Sequence, residues 1–274
     1  MSVTWDNGEP PEPLRISPLG WLRVLIRGGV LGTLVFGGLA LLLLIRAVEA
    51  PLYAPRRPVT PYITQFVCRN AFRLLGIGFA TRGTLMGEHG AVVANHCSWL
   101  DIFALNARKR IYFVSKAEVA GWPGIGWLAR ATGTVFIERD PRQAQAQREI
   151  FRARLGAGHK LLFFPEGTST DGRRVLAFKP TLFAAFFAPE LREGCHIQPV
   201  TLAYHPPAGE RADFYGWWGD MDFGPHLLKT LAAPRQGRVE VIYHAPLKVT
   251  GFTDRKALAA AAEEAVRAGL PSGV

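Results

Sequence analysis

The sequence predicts an α/β fold: a mainly parallel sheet flanked by helices, preceded by an N-terminal membrane-anchoring helix. Three observations carry this. From residue 91 onward, short β-favouring runs alternate with helix-like stretches. Those runs are predominantly apolar, as strands covered on both faces are. And an uncharged stretch of 18 residues, "GGVLGTLVFGGLALLLLI", fills Gly28 to Ile45, about the minimum length for crossing a bilayer. At 274 residues and 49% hydrophobic, the chain supports one sizeable core. The expected division is 1–60 for leader, anchor and hinge, and 61–274 for the α/β domain.

Arg27 and Arg46 bound the apolar stretch. A cleavable signal peptide is the competing reading, with "VEA" ending at Ala50 as the cleavage site. The long apolar core and a partly acidic leader of 27 residues argue against it. Residues 1–27 carry three arginines balanced by Asp6, Glu9 and Glu12, whereas 46–82 carry six against Glu49 alone. The positive-inside rule then puts the C-terminal domain on the cytoplasmic side of the inner membrane. The proline-rich "PRRPVTP" (55–61) reads as a hinge. In "PYITQFVCRNAFRLLGIG", Ile63, Phe66, Val67, Leu74 and Leu75 share a helical stripe, with Arg69 and Arg73 off it. This pattern fits an interfacial helix on anionic headgroups and equally a helix packed on the domain.

Strands are expected at 91–95, 111–115, 134–137, 160–164, 197–203 and 239–243. Helices are expected at 99–107, 125–132, 141–155 and 181–187, with a last one over 254–268 that stops before Gly269. The net charge of +10 and pI of about 9.9 call for an anionic partner. With no lysine-rich tail, zinc spacing or nucleic-acid motif, that partner is not nucleic acid, and no metal site is expected. The three cysteines, Cys68, Cys97 and Cys195, are odd in number and unpatterned, which argues for a reducing compartment and against a disulfide scaffold.

In parallel sheets, ligands gather at the carboxyl ends of the strands. Three chemically unusual segments fall there: "NHCSWLD" after the first strand, "FIERD" with Arg139 after the third, and "FFPEGTSTDG" with Glu166 and Gly167 after the fourth. His96 and Asp101 are five positions apart, about 140° around a regular helix, so they meet only if 95–98 is a strand-to-helix turn and Asp101 lies in the first helical turn. Asp101 would then accept from Nδ1–H and leave Nε2 as a base. A histidine that is purely structural is the alternative. His205 and Glu210 repeat the spacing in "HPPAGE", but inside a proline- and glycine-broken loop. There is no G-x-S-x-G elbow, and Cys97 and Ser98 adjoin His96 on a turn, where neighbours seldom point at each other. The base is therefore expected to act on a substrate hydroxyl.

"NHCSWLD", "GTVFIERD", "FFPEGTST" and "IQPVTLAY" resemble, in order and spacing, the four motifs of the glycerolipid acyltransferase family, typified by 1-acylglycerol-3-phosphate acyltransferase, over about residues 61–250. The resemblance implies that His96 is the general base and Asp101 its orienter. It implies that Arg139 and the turn Glu166–Gly167–Thr168 shape the acceptor site, with Lys179 at a downstream basic position and Pro199 structural or lining the acyl chain. It implies no cofactor beyond an acyl thioester, on acyl carrier protein or coenzyme A, and as partners that carrier, a lysolipid acceptor and membrane lipids. The aromatic "TLFAAFFA" supplies apolar surface for such a chain. One departure is Ser169, where the family places an arginine for the acceptor phosphate; Arg173 and Arg174 follow four and five residues on. After Lys179, "PT" replaces the glycine often found there. "YGWWGDMDFGPHLLKTL" and "DRKALA" resemble the subgroup that acylates lyso-ornithine lipid. The leading expectation is therefore conversion of lyso-ornithine lipid to ornithine lipid, with phosphatidate synthesis as a second activity. The alternatives are a phosphatidate-forming enzyme only, a thioesterase or lipase, and a non-catalytic binder of anionic lipid.

Overall fold

Gly90–Ala94 (β2), buried at every position, is the centre around which the sheet assembles. The computed structural model describes residues 4–8, 13–138, 142 and 144–271. Its sheet has eight strands, in the order β1-β7-β6-β2-β5-β3-β4, with β8 also on β6. The others are Gly78–Arg82 (β1), Tyr112–Lys116 (β3), Val135–Ile137 (β4), Leu161–Phe163 (β5), His196–His205 (β6), Arg238–Tyr243 (β7) and Leu247–Lys248 (β8). β2, β5, β3 and β4 are parallel. β6 pairs parallel to β2 over its first half and antiparallel to β7 over its second. The six expected strands are present, though β6 runs on to His205. β1 escaped notice because it is largely exposed and shows no apolar run.

The strand period of two assigns β2 to both faces. Val92 and Ala94 join one core, with Phe72, Leu100, Leu105 and Leu202. Ala91 and Val93 join the other, with Phe151, Phe163, Phe183 and Leu258. Thr60–Leu75 (α2), Leu100–Asn106 (α3) and Phe223–Ala232 (α7) cover the first face. Ala144–Gly156 (α5), a 3₁₀ helix over Pro180–Phe187 and Arg255–Ala268 (α8) cover the second. Ile125–Thr132 (α4) and Pro189–Arg192 (α6) are further helices of the domain. "TLFAAFFA" is thus mainly core, with Phe183 and Phe186 fully buried.

The apolar stretch at 28–45 is the middle of a longer helix, Pro18–Tyr53 (α1), roughly 54 Å long at 1.5 Å per residue. Ser17 Oγ caps it by accepting from Gly20 N at 3.1 Å. Arg27, expected as a boundary, lies inside it. Its Nη1 donates to Leu231 O at 3.0 Å and Ala233 O at 2.7 Å, closing the open C-terminus of α7. Val24, Leu31 and Leu42 bury one face of α1, while Leu22, Leu25, Leu44 and Val48 stay exposed. Gly38 is where α2 crosses, since a Cβ there would lie 2.4 Å from Val67 Cγ2. α2 packs on the domain through Cys68, Ala71, Phe72 and Leu75, and Phe66 is 62% exposed. The expected stripe was therefore rotated on the helix.

Residues 55–61, read as a hinge, are tied at both sides. Buried Glu49 accepts through Oε1 from Val59 N (2.7 Å) and Thr60 N (3.1 Å), and through Oε2 from Thr60 Oγ1 (2.6 Å) and Arg46 Nη1 (3.0 Å). Arg57 Nη1 donates to Ala131 O at 2.6 Å. Glu49→Ala should leave these donors without acceptors and cost about 3 kcal/mol. Denaturant unfolding in detergent checks this, with early proteolysis between α1 and α2 as the local sign.

Candidate active site

The chain leaves β2 at Ala94 and enters α3 at Leu100, and the turn between brings His96 and Asp101 together. His96 Nδ1 lies 2.7 Å from Asp101 Oδ2. Asp101 is fully buried, and its oxygens are saturated. Oδ2 also accepts from Cys97 N (2.9 Å) and Ser98 N (3.1 Å), and Oδ1 from Tyr204 OH (2.9 Å). A carboxylate at the start of a helix that reaches back to preceding N–H groups fixes the turn as a capping residue does. Two further supports hold His96. Its backbone N donates to Glu166 Oε1 at 2.7 Å, and its ring stacks on Phe164 at 4.0 Å. With Nδ1 committed, Nε2 is the nitrogen left to the cleft that His96 lines.

Cys97 and Ser98 are buried and do not line that cleft. Burial, with Asp101 beside it, holds the Cys97 thiol well above the ordinary thiol range, and Ser98 Oγ accepts from Leu100 N at 3.3 Å. Neither is placed as a nucleophile.

The cleft holds about 520 Å³ and gathers the carboxyl ends of β2, β3, β4 and β5. Its apolar side includes Val114, Ile137, Phe163, Phe164 and Leu182, and its polar rim Lys116, Glu118 and Asp220. Lys116 Nζ is 3.6 Å from Glu118 Oε1. Trp217 and Trp218 close another side, anchored by Trp217 N donating to Cys97 O at 2.7 Å. The leader reaches the rim too: Thr4 lines the cleft, and Trp5 N donates to Thr168 Oγ1 at 3.3 Å.

Gly167, Thr168 and Ser169 line the cleft, and Gly167 turns at φ +72°, where a side chain would be strained. Glu166 does not reach it. It is buried, with Oε1 on His96 N and Oε2 accepting from Leu176 N at 2.8 Å, so it acts as a brace behind the base. Burial pushes its carboxyl up to about 8 against those two donors. Lys179 sits outside the cleft at the start of the 3₁₀ helix, its N donating to Pro165 O at 3.0 Å. Pro199 is buried within β6, also away from the cleft. Arg174 is held by Asp171 (2.9 Å) and lies 5.0 Å over the Trp5 ring; neither it nor Arg173 lines the cleft. Arg139 lies outside the described residues. Tyr204, Lys116 and Asp220 were not anticipated. Tyr204 ends the quoted "IQPVTLAY", the one signal that could have found it.

The acyltransferase family model matches residues 66–203. The chain is similar to the lyso-ornithine lipid O-acyltransferase of Rhodobacter capsulatus, with 54% identity over 266 residues, 97% of this chain and 96% of that one. The lyso-ornithine lipid O-acyltransferase of Pseudomonas aeruginosa is 34% identical over 91% of this chain and 94% of its own. The 1-acyl-sn-glycerol-3-phosphate acyltransferase of Neisseria gonorrhoeae is 32% identical over 73% and 77%. Among solved structures, the 1-acyl-sn-glycerophosphate acyltransferase PlsC of Thermotoga maritima shares the fold, with a TM-score of 0.64 at 21% identity over 91% and 94%.

Glu166→Gln should be near wild type at low pH, where the protonated carboxyl and the amide meet the two backbone N–H groups alike, and more stable than wild type by pH 8. It should also flatten the pH dependence of stability. With the folded carboxyl at about 8 and its ordinary value at 4.5, the folded state binds that proton more tightly. This group therefore destabilises the wild type progressively as pH rises from about 4.5 to about 8. Urea unfolding of both proteins across that range reads the difference in slope.

Proposed function

Because the chain belongs to the acyltransferase family, we propose that it moves a fatty acyl group from an acyl thioester to the free hydroxyl of a lysolipid, with lyso-ornithine lipid as the acceptor. The observation that carries the reading is the His96–Asp101 pair, 2.7 Å apart, at a cleft with one apolar side and a rim bearing both signs of charge.

His96 Nε2 takes the proton of the acceptor hydroxyl as its oxygen attacks the thioester carbonyl carbon. Buried Asp101 holds the ring in the right tautomer and stabilises the imidazolium that forms. Collapse of the tetrahedral intermediate breaks the C–S bond, and the departing thiolate takes the proton back from His96. An ester and a free thiol leave, and no protein acyl group is formed. The apolar side suits an acyl chain. Lys116 suits the carboxylate of an ornithine headgroup, and Asp220 and Glu118 its ammonium. Ser169 at the rim, with Arg173 and Arg174 off it, leaves a phosphate without the arginine that selects it. Phosphatidate synthesis remains a second activity of the same chemistry. Arg139, Gly167 and Thr168 are assigned to the acceptor side, and Glu166 and Lys179 act there by bracing the loop.

The exposed apolar faces of α1 and α2 support membrane association. The arginines that follow α1 favour the cytoplasmic face of the inner membrane. That side offers acidic carrier protein or coenzyme A as donor, and the +10 charge favours encounter with either.

His96→Ala should lower transfer by about 10²–10⁴ while lysolipid binding persists, and Ser98→Ala should stay near wild type. Equal loss in the two variants would overturn direct transfer. Ser169→Arg should shift kcat/KM toward lysophosphatidate over lyso-ornithine lipid by about ten- to a hundredfold, the span of one charge-assisted contact. An unchanged ratio in a folded, active variant would show that this position does not read the headgroup.

A further inference from the structure

A second cavity, of about 790 Å³, lies at the opposite end of the sheet from His96. It is lined by segments that lead into strands: Arg108, Lys109 and Arg110 before β3, Lys160 before β5, and Arg56 and Arg57 from the α1–α2 connection. β2, β5 and β3 are parallel, so these residues mark the amino ends and His96 the carboxyl end, on the order of 16 Å apart along a five-residue strand. No carboxylate lines the cavity among the described residues.

Bonds to neutral groups fix several of these cations, and Glu49 near Arg57 and Glu88 near Lys160 offset part of the charge from outside the cavity. Arg57 donates to Ala131 O, and Arg110 donates to Tyr62 OH at 3.1 Å. Lys160 donates to Gly87 O at 3.2 Å and to Glu88 O. Burial, with Arg46 adding to it, lowers Arg57 to about 10.

His159 distinguishes this place from a merely basic surface. It lines the cavity, is only 6% exposed, and packs on Tyr112 at 4.2 Å. Yet neither Nδ1 nor Nε2 has a hydrogen-bond partner, a costly state for a buried polar group. Burial, then Arg154 and Arg57, holds it down at about 4, so at neutral pH the ring is neutral and offers one N–H. Both nitrogens are shielded from the cavity in the ligand-free ring, so the ring would turn on binding to give its N–H to a group rich in acceptor oxygens, whose negative charge the surrounding cations meet. The cavity opens among Tyr53 and Tyr62, beside exposed Leu52, Val59 and Phe66, where lipid headgroups meet an apolar surface.

We propose that this cavity is an anion site for a phosphate group, separate from the acyl-transfer cleft, with His159 as its buried donor and Arg57, Arg108 and Arg110 as its charge. A phospholipid headgroup and free phosphate share that chemistry. An acidic protein is disfavoured because His159 sits inside a concavity that a convex protein surface does not enter.

The test uses the full chain in non-ionic detergent, titrated by calorimetry with inorganic phosphate, short-chain phosphatidylglycerol and short-chain phosphatidylcholine. Wild type should bind phosphatidylglycerol or phosphate. Tighter binding of the lipid identifies the headgroup as the source, and equal binding identifies free phosphate. Arg108→Gln with Arg110→Gln, and separately His159→Phe, should each weaken binding at least tenfold and leave acyl transfer in detergent within twofold. His159→Phe should also raise the ligand-free melting temperature, since it removes the unpartnered group; His159→Leu replaces it if the Phe variant does not fold. Binding unchanged by the His159 variants, or no binding of inorganic phosphate or phosphatidylglycerol, would each overturn the proposal.

Discussion

The carboxylate of Asp101 is the constraint on which the site depends. A charge with no exposure to water is tolerable only when its oxygens are filled, and here His96 Nδ1, Cys97 N, Ser98 N and Tyr204 OH fill them. Those donors come from the turn after β2 and the far part of β6, while Asp101 itself lies at a helix start. Satisfying one carboxylate thus fixes how β2 ends, where α3 begins and how β6 lies beside them. Glu166 repeats the device one layer out, joining His96 N to Leu176 N. The base is held by its ring, its backbone and the plane of Phe164, and only Nε2 is left to the cleft.

Parallel strands give the sheet two chemically different ends. Every strand among β2–β5 delivers its carboxyl end to the cleft, so residues far apart in the chain converge there without long connections. The amino ends gather the basic segments around His159. The sheet separates the two, which lets one end carry both signs of charge around a base while the other concentrates a single sign.

The long helix α1 belongs to the domain as much as to the membrane. Its buried stripe, the close crossing at Gly38 and the arginine that closes α7 tie it down, and its other faces remain apolar and exposed. Glu49 shows how strongly the connection is held. A short acidic side chain at the end of an apolar helix collects the donors that open α2, and a segment rich in proline becomes a fixed corner.

What the sequence determined by itself is whatever rests on local pattern. Strand and helix alternation, the apolar anchor and the turn that lets His96 meet Asp101 are all local: a period of two, a period of 3.6, and a break of a few residues between them. The quoted motifs also located Gly167, Thr168 and Ser169 on one rim. Tertiary structure alone decided the rest, because the partners are distant in the chain. Tyr204 lies 103 positions from Asp101, and Lys116 and Asp220 reach the cleft from separate strand ends and loops. Glu166, which shares a motif with cleft residues, turns inward because two backbone N–H groups from other segments need an acceptor there. Likewise α2 presents a different face from the one its hydrophobic spacing suggested, since α1 and α3 chose which side to cover. Side-chain chemistry is written residue by residue, but whether a group meets substrate, solvent or another buried dipole depends on neighbours that only the folded chain supplies.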